Sequence, residues 1–173
     1  MIKTNSLTVN EIKECSQKVK QYFHIKDGNC FPIYDVLLML YDNEEIGIQI
    51  LDDTDMQLPK DTPSEYDVKE NFIYVKESVL KELEENNYRN NFTLCHEFFH
   101  FFQCKVLNFK FEEVETCPAY CDVEWQANEF ADQLLILEEM LRFDAKFLAK
   151  KYHTTIECAL YRKYKYKKRY TLI

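Results

Sequence analysis

Only two glycines and four prolines punctuate the 173 residues of this chain. So few breakers leave little room for tight turns and favour helices. The length suits one domain. A domain of this size buries roughly 70% of its unfolded surface, so it needs neither a disulfide nor a metal to fold. With 46% hydrophobic and 30% charged residues the composition is globular, which sets aside disordered and fibrous classes.

A net charge of −8 and a pI of about 5.1 argue against nucleic-acid binding by the surface as a whole, though not against a local basic patch. No run approaches about 18 apolar residues, so no transmembrane helix is expected. Met1-Ile2-Lys3-Thr4-Asn5-Ser6 leads into no apolar stretch of the signal-peptide kind. The seven cysteines are odd in number, and reduced thiols in a cytoplasm are the expectation.

Along the chain, Thr8-Val9-Asn10-Glu11 fits a capping box. Val9, Ile12, Val19 and Phe23 then share a helical stripe to about His24. A loop around Asp27-Gly28-Asn29 precedes a second helix over Ile33 to Tyr41. Ile46 to Leu51 and Asn71 to Val75 read as strands, separated by a loop from Asp52 to Ser64 that holds four Asp and two Pro. Two or three strands here predict a small antiparallel sheet. Helices are expected over Ser78 to Asn86, Asn90 to Cys104, Asp122 to Leu141, Asp144 to Tyr152 and Thr155 to Tyr164. The predicted fold is a mostly helical α+β single domain over 1–173, with a core of about 30–164 and a basic tail over 165–173.

The chemistry lies in His96-Glu97-Phe98-Phe99-His100, an HExxH motif on a predicted helix. Positions i and i+4 share a helix face, so both imidazoles can meet one ion, and Zn²⁺ favours such ligands. Glu97 stands one residue beyond the first ligand, where its carboxylate reaches a metal-bound water as general base and later delivers the proton to a leaving amine. With 4 His in the chain, chance produces the motif in about one shuffled sequence per hundred. The plainer alternative is a helix with two solvent-facing histidines. A metzincin would need His at 106 and Gly at 103, where Val106 and Gln103 stand, so that form is excluded. A Glu from a following helix is the other common third ligand, and Glu124 fits. Glu124, Ala127, Ala131 and Leu134 share one helix face, and two alanines there would allow close packing on the motif helix. Glu129 is rotated well away. The plainer reading of Glu124 is a solvated first-turn acid favoured by the helix dipole.

At these residues the chain resembles the ImmA/IrrE family of metallopeptidases. The lead Asn91-Phe92-Thr93-Leu94-Cys95 stands before the motif. The segment Glu124-Trp125-Gln126-Ala127-Asn128-Glu129-Phe130-Ala131, then Leu134-Leu135, follows the family's Glu-x-x-Ala-Asn-x-Phe-Ala helix and paired leucines, six positions agreeing in type and order. The strand Phe72 to Val75 and the segment Leu148 to Thr155, with Ala159 and Arg162, also match, so the likeness spans about 30–164. The chain departs from the pattern at Phe99, where the family often has Gly, at Gln126, often an acid, and at Ile136-Leu137, usually Met-Pro.

The resemblance implies a zincin-like fold with the sheet beside the motif helix. One Zn²⁺ per chain would sit on His96, His100 and Glu124, with Glu97 catalytic. It further implies cleavage or inactivation of a specific regulatory protein, a helix-turn-helix repressor of a mobile element or stress operon. Residues 1–30 are too short for a DNA-binding domain of that kind, so the repressor is expected to be a separate protein. The alternative is a non-catalytic module of the same fold that binds a repressor or toxin.

Other residues are read more plainly. Cys104, Cys117 and Cys121 lack the pairing of a second metal site. Cys95 and the phenylalanines around the motif read as core, with Phe99 facing closest to the site. Tyr120, His153 and Arg162 are conceivable oxyanion donors. Arg162, Lys163, Lys165, Lys167, Lys168 and Arg169, interleaved with Tyr164 and Tyr166, read as a frayed tail or a protein contact ahead of a nucleic-acid groove.

Overall fold

A capping box opens the first helix. Thr8 and Glu11 bond reciprocally, the Thr8 N–H donating to Glu11 Oε2 at 2.7 Å and the Glu11 N–H to Thr8 Oγ1 at 3.3 Å, which satisfies two donors a helix end otherwise leaves bare. A computed structural model describes residues 1–26, 28–85 and 88–170. Asp27 of the expected loop, the expected helix end at Asn86 and residues 171–173 of the expected tail lie outside the described residues.

The elements are β1 (Ile2–Lys3), α1 (Val9–Tyr22), α2 (Ile33–Asp42), β2 (Gly47–Leu51), β3 (Ser64–Asp67), β4 (Phe72–Lys76), α3 (Glu77–Glu84), α4 (Arg89–Lys105), β5 (Glu112–Glu113), α5 (Val123–Leu135), α6 (Ala145–Tyr152) and α7 (Ile156–Tyr170), with single 3₁₀ turns at Ala119–Cys121 and Glu138–Met140. The fold is α+β and mostly helical. No helix among the described residues is long and apolar enough to cross a membrane.

The sheet is not the antiparallel one expected. Its order is β2-β4-β3. β4 pairs in parallel with β2, Ile48 opposite Ile73, and antiparallel with β3, Tyr66 opposite Ile73. β3 starts at the last residue of the expected loop and runs on through 65–67, where no element is expected; placed between β2 and β4 in the chain and at the edge of the sheet, it turns β4 back alongside β2. A second, two-stranded ribbon joins β1 to β5.

α4 packs on α5, and α1 and α2 close over them. Ala127 and Ala131 are fully buried, which lets the α4 and α5 backbones approach. Phe99 turns into this interface and away from the site. It is fully buried and stacks on Phe130 with centroids 4.2 Å apart, because a residue three positions past His96 is already rotated by about 60° on the helix.

α5 stops at Leu135, short of the expected Leu141. Leu134, Leu135 and Ile136 are all fully buried. There Ile136 leaves the helix and adopts extended backbone, φ −124° and ψ 114°.

The basic run is also not a frayed tail over the described residues. α7 continues to Tyr170, and Arg162, Lys165 and Arg169 share a stripe that docks on α5. Arg162 and Glu129 are fully buried with Nη1 and Oε1 3.5 Å apart. Lys165 bridges Glu129 at 2.9 Å and Asp132 at 2.5 Å, and Arg169 pairs with Glu129. Lys163 donates to the Leu141 and Phe143 carbonyls.

Candidate metal centre

α4 presents His96 and His100 one turn apart, and α5 presents Glu124 in its first turn. Asp122 caps α5, its Oδ1 accepting from the Glu124 N–H at 2.8 Å and the Trp125 N–H at 3.1 Å. That fixes where the helix begins and therefore where Glu124 points. His96 Nε2 lies 3.0 Å from Glu124 Oε2 and 3.0 Å from His100 Nε2, and His100 Nε2 lies 3.5 Å from Glu124 Oε1.

Four tetrahedral ligands held at about 2.0–2.1 Å from a divalent ion stand about 3.3 Å apart. The three observed separations fit that spacing, and two imidazoles with a carboxylate are a donor set such ions accept. Among the described residues this is the group of His, Cys, Asp or Glu side chains that could hold a metal ion. Cys104, Cys117 and Cys121 form no such cluster, and every cysteine is unpaired.

Each imidazole is held from behind. His96 Nδ1 lies 3.2 Å from Asn128 Oδ1, and His100 Nδ1 lies 3.3 Å from Gln103 Oε1. Sequence reasoning singled out neither Gln103 nor Asn128 as a support. The available signal was spacing: Gln103 stands one turn beyond His100, and Asn128 one turn beyond Glu124, so each shares a face with a ligand.

The electrostatics are those of a partly desolvated acid–base cluster. Burial lowers the His100 pKa, with the His96 charge adding to the effect. Burial opposes charge on His96 too, but the Glu124 hydrogen bond and the Glu97 charge outweigh it and raise its pKa. The His96 hydrogen bond holds Glu124 below its ordinary value against burial. Burial pushes Glu97 up to about 7, against the pull of His96, and Glu97 Oε2 accepts from the Tyr66 N–H of β3 at 2.8 Å.

The cluster opens into a cleft of about 440 Å³. β3 forms one wall with Glu65 and Asp67, and Ile2, Phe111 and Val123 contribute apolar surface. The three conceivable oxyanion donors stand elsewhere. Arg162 lies in the buried ion cluster. His153 stacks on Tyr88, centroids 4.5 Å apart, beside a different cleft. Tyr120 is exposed and does not line this one.

No family's sequence profile matches the chain, and no curated protein matches it. Among solved structures the fold is similar to that of a Mycobacterium tuberculosis transcriptional regulator, with 14% identity and a TM-score of 0.58 over 88% of this chain. The chain spans 46% of that protein.

Proposed function

We propose that the chain is a zinc-dependent endopeptidase of the ImmA/IrrE kind that cleaves or inactivates a specific regulatory protein, a separate helix-turn-helix repressor of a mobile element or stress operon. The observation that carries this reading is the convergence of His96, His100 and Glu124 within 3.5 Å of one another, with Glu97 buried beside them at the floor of an open cleft. One bound Zn²⁺ would supply Lewis acidity and lower the pKa of a coordinated water toward about 7.

Glu97 then has the chemistry of a base that works near neutrality. With its pKa pushed up to about 7, it takes the proton of the attacking water and returns it to the leaving amine. β3 is an edge strand of the sheet and lines the cleft, and an extended substrate segment pairs with the main-chain groups of such an edge that Glu97 does not hold. The seven unpaired cysteines suit a reducing cytoplasm.

The bond between Glu97 and the Tyr66 N–H favours a second reading, in which Glu97 ties α4 to β3 and the protein is a non-catalytic module that binds a repressor or toxin. Elemental analysis after mild purification tests the metal: about one zinc per chain is expected, and Glu124→Ala should lose it. A folded chain that cannot be loaded with zinc refutes the peptidase. Glu97→Gln separates the two readings. Zinc retained and repressor cleavage abolished supports the peptidase, whereas repressor inactivation at the wild-type level supports the module.

A further inference from the structure

We propose that Gln103 and Gln126 are positioning residues that set the tautomer of His100, through a hydrogen-bond relay whose direction is dictated by two backbone carbonyls. This rests on the reading of His100 as a metal ligand.

The relay is worked out from its far end. Gln126 Nε2 lies 2.8 Å from the Asn5 carbonyl and 2.7 Å from the Tyr120 carbonyl. A carbonyl oxygen only accepts, so the group facing both must be the amide NH₂, and both its protons are committed there. The Gln126 Oε1 is thereby turned toward Gln103, whose Nε2 donates to it at 2.6 Å. That leaves Gln103 Oε1 against His100 Nδ1 at 3.3 Å. An amide oxygen also only accepts, so in the neutral ring the proton sits on Nδ1. His100 Nε2 then carries its lone pair toward His96 and Glu124, which is the form that binds a metal ion.

Reversing either amide would set acceptor against acceptor or donor against donor. Gln103 and Gln126 are both fully buried, so no solvent would relieve the mismatch, and an unmet polar group there is costly. The anchor is itself fixed. The Thr4 N–H donates to the Cys121 carbonyl and the Leu7 N–H to the Tyr120 carbonyl, both at 2.8 Å, which clamps Asn5 between them. His96 Nδ1 faces the exposed Asn128, which lies outside the relay.

Long-range ¹H–¹⁵N spectra of the metal-free full-length chain, recorded above the histidine titration range, read the tautomers directly. His100 is expected in the Nδ1–H form in the wild type. Gln103→Leu removes the acceptor. Gln126→Leu touches no ligand but frees the Gln103 amide to turn. Both variants should convert His100 to a tautomer mixture. Both should weaken zinc binding, measured by competition with a chromophoric chelator, about 10–100-fold.

A wild-type His100 in the Nε2–H form overturns the proposal. So does a folded Gln126→Leu with the wild-type tautomer and affinity. If Gln126→Leu fails to fold, the wild-type ring and Gln103→Leu decide. A wild type that holds Nδ1–H yet binds no zinc supports the relay and refutes the zinc peptidase, so the two failures are distinct.

Discussion

Replacing Arg162 with Met tests whether α7 is held to α5 by charge. The Arg162 side chain is fully buried, Nη2 donates to Gln133 Oε1 at 2.5 Å, and Nη1 stands 3.5 Å from Glu129 Oε1. Met keeps the length and apolar bulk and deletes the charge and the donors. Removing one partner of a buried pair costs about 3–5 kcal/mol, because the survivor is left uncompensated. Glu129 is not fully orphaned here, since Lys165 at 2.9 Å and Arg169 remain. Arg162 also carries its own desolvation cost, visible in a pKa lowered by burial and in an Nε without a partner among the described residues, and Met escapes it. Together these set the loss at about 2–3 kcal/mol. For a chain of this size 1 kcal/mol moves Tm by about 2–4 °C, so the melt should fall by about 4–12 °C. Far-UV circular dichroism melts of the wild type, Arg162→Met and the exposed same-helix control Lys168→Met give the answer. The control should stay within about 0.5 kcal/mol of wild type. An Arg162→Met melt indistinguishable from the control refutes the reasoning, and a rise in Tm would mean that desolvation outweighs every contact Arg162 makes.

Three further outcomes are expected. Burial opposes the Glu129 charge, but Arg169 and Lys165 outweigh it and hold its pKa below the ordinary 4.5. Its contribution is therefore present above pH 4.5 and lost as the pH falls through the lowered value. The stability gap between wild type and Glu129→Gln should close on acidification, and a gap that stays constant in denaturant titrations across that range rules the linkage out. Phe99→Ala should cost about 3–5 kcal/mol in urea denaturation, whereas a loss below about 1 kcal/mol would mean that the ring is not packed on Phe130. Free zinc at about 100 times its Kd should stabilise the wild type by about 2.7 kcal/mol, read as a chelator-reversible rise in Tm, and His100→Ala should show no rise.

The features readable from the sequence are those written in local code. The Thr8–Glu11 capping box and the four-residue spacing of His96 and His100 each signal through near neighbours, and each stands where expected. β3 escaped because Ser64-Glu65-Tyr66-Asp67 buries a serine and a tyrosine, an alternation too polar to register as a strand beside Pro63. Parallel pairing of β2 with β4 follows from the order of strands in space, which no single strand encodes. Arg162, Lys165 and Arg169 do fall at helical spacing, but a cationic stripe reads as solvated, since such side chains are almost never fully buried unless paired. Their partners lie 29 to 40 residues away. Gln126 belongs to the same category: its partners are Gln103 and the Asn5 and Tyr120 carbonyls, so its role exists only once two helices and the segment after the first strand meet.

That distance along the chain has a consequence for how the protein is made. The two histidines are available as soon as α4 forms, but Glu124 arrives from 28 residues beyond His96, and the Asn5 carbonyl that Gln126 grips is 121 positions away. Long closures carry a conformational cost and form late relative to local turns. A chain part-way through folding offers an ion two imidazoles and little else, so its hold on metal is weak. On the proposed metal-binding reading, the full affinity would belong to the finished tertiary structure, and retention of an ion would report that folding is complete.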